Sequence, residues 1–140
     1  MTPISSDETA PALRLQIEAL LAAFNASTVG SSQWRPLVIP LKGEADGVCG
    51  GLCGSTYYGW LNIELLFIPD VMRNRGFGSR LVTAAETEAF ARGCRGAWVD
   101  TFEFQAKGFY ERLGYAVFGE LNEYPAGHAR FYLQKSLVTP

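Results

Sequence analysis

Residues 61–78, Leu-Asn-Ile-Glu-Leu-Leu-Phe-Ile-Pro-Asp-Val-Met-Arg-Asn-Arg-Gly-Phe-Gly, constrain the fold more than any other stretch of the chain. An apolar, β-favouring run is closed by Pro69 and Asp70, then a short loop brings two arginines and two glycines to the start of a helical pattern. A helix entered this way presents unpaired N–H groups and the positive end of its dipole. Gly76 and Gly78 let a ligand come close to the backbone. Arg73 and Arg75 add fork-shaped donors suited to phosphate oxygens. The segment is therefore expected to seat a phosphorylated ligand.

The pattern on either side extends this unit into a layered α/β domain. Residues 1–9 read as a loose tail, and residues 10–140 as one domain with enough apolar side chains, 48% of the chain, for a single core. Leu13, Ile17, Leu20, Leu21 and Phe24 recur at helical spacing, with Thr9 as the cap and Pro11 in the first turn. Asn25 to Ser32 is expected as a loop. Trp34 to Leu41, carrying Pro36 and Pro40, reads as an edge strand in a hairpin with Val48 to Tyr58, whose glycines mark a bulge. Trp60 to Ile68 is the central strand. A helix from Gly76 with Phe77, Leu81, Ala85 and Ala89 on one stripe ends at Arg92-Gly93. A strand over Ala97 to Phe102, a helix over Gln105 to Leu113, and strands over Tyr115 to Leu121 and Ala129 to Leu137 complete the order. This order predicts a mixed, mostly antiparallel sheet with helices on both faces and one parallel crossover between Trp60 and Phe102.

Charge and cysteines remove several function classes. A net charge of −2 and a pI near 5.4 give no basis for nucleic-acid binding. Cys49, Cys53 and Cys94 are odd in number and lack metal-type spacing, and the single histidine, His128, lies far from them. No metal site is expected, and the cysteines read as small buried hydrophobes of a reducing compartment. No apolar run is long enough to span a membrane and the first residues do not form a signal peptide, so a cytoplasmic location is expected.

The loop itself discriminates among phosphate ligands. Gly76-Phe77-Gly78-Ser79-Arg80-Leu81 has leucine where a dinucleotide fingerprint needs its third glycine, although Asp100 lies at a suitable distance. A P-loop would end in Gly-Lys-Ser/Thr, which is absent. What remains, Arg73-x-x-Gly76-x-Gly78 directly after a strand, resembles the pyrophosphate loop of the GNAT superfamily of N-acetyltransferases. Phe109-Tyr110-Glu111-Arg112-Leu113-Gly114-Tyr115 resembles that family's late helix, at the expected order and distance. The similarity runs from about Trp34 to Leu137, and the closing Tyr-Pro-Ala-Gly-His segment is similar to a compact bacterial subgroup. Two departures stand out. Glu103 occupies the position where many members carry an asparagine for the pantetheine arm, and the usual first strand is missing ahead of the Leu13 helix.

The resemblance implies an acyl-CoA N-acyltransferase fold and an N-acetyltransferase that uses acetyl-CoA as co-substrate, acting on a primary amine of a small molecule in a ternary complex. It implies that Arg73, Asn74, Arg75, Gly76, Phe77, Gly78, Ser79 and Arg80 hold the pyrophosphate. Leu66, Phe67 and Ile68 would pair with the pantetheine arm like an added strand, and Gln105 and Phe109 would complete the cofactor seat. Tyr110 is the matched proton donor for the departing thiolate. Glu64 is the candidate base for an amine that is largely protonated at neutral pH, with Asp100 and Glu103 as second choices. Tyr57, Tyr58 and Trp60 are candidates for the acceptor pocket. A homodimer is compatible with this reading. Three other functions share these residues: acetylation of a protein or peptide amine, a catalytically silent acyl-CoA-binding module, and a nucleotide-binding domain.

Overall fold

The computed structural model describes residues 3–138; positions 1–2, the start of the expected tail, and 139–140 lie outside the described residues. After Gln33 the chain divides into two compact units. The first holds helix α1, Ala10–Val29. It runs past Phe24 through the segment expected as a loop, because Ser27 and Thr28 turn their hydroxyls back onto the Phe24 carbonyl at 2.6 and 3.3 Å. Local bonds of this kind satisfy such side chains without leaving the helix. The chain leaves the helix at Gly30, whose φ of 89° favours glycine. Thr9 does sit at the N-cap position but makes no capping bond to the helix, its hydroxyl meeting Ser6 Oγ at 3.0 Å instead. Among the described residues no strand precedes α1.

The second unit is a six-stranded sheet with two α-helices and a short 3-10 turn at Asp70–Met72. In chain order its elements are β1 (Arg35–Lys42), β2 (Val48–Tyr57), β3 (Trp60–Phe67), α2 (Phe77–Ala91), β4 (Gly96–Phe102), α3 (Lys107–Arg112), β5 (Ala116–Asn122) and β6 (Ala129–Ser136). The sheet order is β1-β2-β3-β4-β6-β5, with β3 and β4 parallel and every other neighbouring pair antiparallel. Helix α2 connects the parallel pair, as the strand–loop–helix pattern requires.

Side-chain alternation separates the two faces of this sheet. Leu61 and Ile63 on β3, Ala97 and Val99 on β4, and Leu133 on β6 lie in register and are almost fully buried. Leu81, Val82, Ala85 and Ala89 of α2 pack in the same core. Phe77, expected on that stripe, is only half-buried, with the Arg80 guanidinium 4.6 Å above its ring. Helix α3 joins the same core through Tyr110, which stacks edge-on against Phe109 and Tyr115 at 5.1 and 5.6 Å. Glu86 of α2 locks this corner, accepting from Tyr115 Oη at 2.7 Å and pairing with Lys135 at 3.0 Å.

Two irregularities interrupt the middle of the sheet. The β2–β3 register shifts between Cys53 and Gly54, as the glycines predicted, but the extra residue belongs to β3 and is Glu64. A Cβ at Gly54 would fall 2.3 Å from the Asn62 carbonyl oxygen, so this close backbone approach requires glycine. Pairing between β3 and β4 stops at Ile63 and Val99, although both strands continue for several residues.

Candidate active site

Where β3 and β4 part, a cleft of about 940 Å³ opens. Its sides are the unpaired edge of β3 from Glu64 to Phe67 and the end of β4 at Asp100 and Thr101. Glu64 and Asp100 directly follow the last paired residues, so two carboxylates flank the point of divergence. The start of α2 lines the same cleft. Gly76 takes φ 78° to turn the chain into the helix, and the first bond back along it is Arg80 N–H to the Gly76 carbonyl at 3.1 Å. The N–H groups of Phe77, Gly78 and Ser79 precede that bond, which leaves them available to a ligand. Phe109 packs on Gly78 so closely that a Cβ there would lie 3.1 Å from its ring.

Of the residues singled out from sequence, the cleft brings together Glu64, Leu66, Phe67, Ile68, Arg73, Asn74, Gly76, Phe77, Gly78, Ser79, Gln105, Phe109 and Tyr110. Arg75 and Arg80 are not among its lining residues. Arg80 instead donates to the Arg75 and Gly76 carbonyls at 3.0 and 3.3 Å, so its charge braces the loop. Arg73 likewise bonds the Ile68 carbonyl at 2.8 Å and pairs with Asp70. Gln105 was expected inside a helix that begins only at Lys107, because its Oε1 accepts from the Phe102 N–H at 3.0 Å and lies 3.2 Å from Thr101 Oγ1. Tyr57, Tyr58 and Trp60 sit at the other, closed end of β3, where Trp60 covers Gly96, and do not line the cleft.

The two carboxylates are in different electrostatic situations. Glu64 is exposed, and its Oε1 accepts only from Ser55 Oγ, at 3.2 Å, among the described contacts. Asp100 is largely enclosed and receives both Nε and Nη2 of Arg130 on one oxygen, Nε at 2.7 Å. The rings of Tyr124, Phe102 and Tyr132 surround that guanidinium at 4.7, 5.1 and 5.6 Å. Tyr110 is 3% exposed, and burial, reinforced by the Asp100 carboxylate, pushes its phenol up to about 12. Burial also raises the Cys94 thiol, which makes it a poor nucleophile. Among the described residues no group of three or more His, Cys, Asp or Glu is placed to hold a metal ion.

Sequence reasoning missed Arg112, Phe104 and Arg130. Arg112 and Phe104 line the cleft. Arg112 follows Tyr110 by two residues within the late-helix signature, a signal that was available. Arg130 reaches Asp100 from β6 through the β4–β6 register, thirty residues away, and no local pattern announces that pairing. Glu103, noted in place of an asparagine, is paired with His128 at 2.6 Å.

Residues 7–115 match the model of the acetyltransferase (GNAT) family. An acetyltransferase of Agrobacterium fabrum is 40% identical over 115 residues, covering 82% of this chain and 84% of that one. The blasticidin-S acetyltransferase of Streptomyces morookaense is 37% identical over 136 residues, 94% and 93% of the two chains. The crystal structure of an acetyltransferase from Bacillus cereus superposes with a TM-score of 0.84 at 26% identity, covering 97% of this chain and 96% of that one.

Proposed function

Because this chain belongs to the acetyltransferase (GNAT) family, we propose that it transfers the acetyl group of acetyl-CoA to a primary amine of a small molecule by direct attack in a ternary complex. The observation that carries this reading is the β3–β4 split, which has two carboxylates at its apex and the N–H groups of α2 on the same cleft. A blasticidin-S acetyltransferase among its relatives supports a small-molecule acceptor.

Acetyl-CoA supplies an activated thioester when bound. The residues present fit it: free N–H groups of Phe77, Gly78 and Ser79 for the pyrophosphate, and the unpaired β3 edge at Leu66, Phe67 and Ile68 for the pantetheine amides. Arg73, Asn74 and Gly76 shape the loop beside them, Phe109 packs on Gly78, and Gln105 also lines the cleft. Arg80 acts from outside the cleft by holding the loop through the Arg75 and Gly76 carbonyls.

The acceptor ammonium has two protons to lose as its nitrogen bonds to the acyl carbon and the carbon–sulfur bond breaks. Glu64 takes the first, directly or through water. Between the two carboxylates Glu64 is the one free to meet the amine, because Asp100 is engaged by the Arg130 guanidinium while Glu64 has only the Ser55 hydroxyl as partner. Tyr110 gives its proton to the departing sulfur and recovers one from the nitrogen, so one proton is released overall. Holding both reactants in one cleft contributes much of the rate.

Calorimetric titration with acetyl-CoA, desulfo-CoA, ATP and NAD tests the premise. CoA ligands are expected to bind selectively, and Gly78→Trp to abolish that binding by filling the cleft beside Phe109. Equal binding of ATP, or unchanged affinity in the variant, would overturn the assigned seat.

A further inference from the structure

One cluster at the rim of the cleft has no part in the mechanism above: Phe104 lines the cleft, and Glu103 and His128 adjoin that ring outside the lining. Phe104 lines the cleft yet is 58% exposed. One side of its ring is stacked on Phe102 at 5.2 Å and nearly parallel, and His128 meets it at right angles, 5.1 Å away. Glu103 is anchored through its N–H to the Ala129 carbonyl at 2.9 Å, and its side chain is oriented by the 2.6 Å bond between Oε1 and His128 Nδ1. Since a carboxylate only accepts, the imidazole donates, and Oε2 has no partner among the described contacts. Arg130, the cation of this cluster, is enclosed by aromatic rings and paired with Asp100, so it does not cancel the charge of Glu103.

A half-exposed aromatic ring beside a half-exposed, pre-oriented carboxylate is the arrangement that takes a flat cation: the ring receives its face and the carboxylate its N–H edge. We propose that Phe104, Glu103 and His128 form a specificity subsite for a second, planar cationic group carried by the acceptor, of the guanidinium type. The acceptor is then a small dication, its amine at Glu64 and its flat cation against Phe104. This deepens the transferase reading of the same cleft and rests on it.

Thiol release with agmatine, an amine carrying a guanidinium, compared with n-pentylamine, which has a similar chain and no second charge, reads the subsite directly. Wild type should show a kcat/KM ratio of at least about 10 in favour of agmatine. Glu103→Gln and Phe104→Leu should each bring the ratio down by about fivefold or more, as a ratio internal to each variant. A wild-type ratio near one, or a ratio unchanged in Glu103→Gln, would overturn the subsite. If neither amine releases thiol from protein that binds acetyl-CoA, neither serves as acceptor, and calorimetry of agmatine with the CoA-loaded protein decides the subsite separately. Binding weakened by Glu103→Gln upholds it, and no binding removes it.

Discussion

Tyr110 shows how one side chain serves two scales at once. Its ring is core, packed between Phe109 and Tyr115, while the residue also lines the cleft near the Asp100 carboxylate. With its phenol pushed up to about 12 it keeps its proton throughout any ordinary assay range, as a donor to sulfur must. Tyr110→Phe is expected to lower kcat about 100-fold while the acetyl-CoA affinity stays within about twofold; unaltered turnover would remove Tyr110 from the chemistry. The same burial makes a statement about stability. A phenol titrates near 10 in the unfolded chain, so the contribution of keeping Tyr110 neutral is whole below about pH 10 and is lost as pH rises through about 12. Tyr115, raised by burial and by its bond to Glu86, acts in the same direction. Denaturation at pH 8 and pH 11 should therefore show alkaline destabilisation, smaller in Tyr110→Phe.

At the scale of elements, the β2–β3 irregularity couples folding to the site. Gly54 lets the Asn62 carbonyl approach, and the register shift beside it makes Glu64 the extra residue at the apex of the cleft. Gly54→Ala places its methyl against backbone atoms that cannot rotate aside, at 2.3 Å from the Asn62 oxygen. Its expected cost is about 1–3 kcal/mol, seen as a lower denaturation midpoint at constant slope, with turnover reduced as Glu64 is displaced. A midpoint equal to that of wild type would show that the strands can part without penalty. The glycines of β2 were legible as a bulge. That the extra residue falls on the partner strand, and is the candidate base, depends on how two strands meet and so escapes any one-strand pattern.

For the whole molecule, the decisive feature is a parallel pair that separates inside an otherwise antiparallel sheet. Ligand binding across that gap stabilises only the folded chain. Acetyl-CoA at about 100 times its Kd should add about 2.7 kcal/mol and raise Tm by roughly 10 °C. ATP at the same concentration should leave Tm nearly unchanged, and equal shifts would mean that the cleft recognises phosphate alone. Residues of both sequence motifs, Arg73, Gly76 and Gly78 from one and Phe109 and Tyr110 from the other, line this one cleft. Motif residues are dictated locally, by what a strand end, a glycine turn and a helix start can do together.

By itself the sequence determined the element order, the helix-start loop with its glycines, and the placement of Tyr110 on a short helix after the fourth strand, because periodicity and turn chemistry act over a few residues. It also misplaced what other parts of the chain control. Asn25 to Val29 stayed helical through bonds to Phe24, and Gln105 left its helix to staple Thr101 and Phe102. Tertiary structure alone decided which carboxylate is neutralised, that Glu103 pairs with His128, and that Tyr57, Tyr58 and Trp60 lie at the closed end of β3. Those outcomes follow from strand register and from charges brought together across as many as thirty residues, where pairing energy depends on distance in space and is silent in a local pattern.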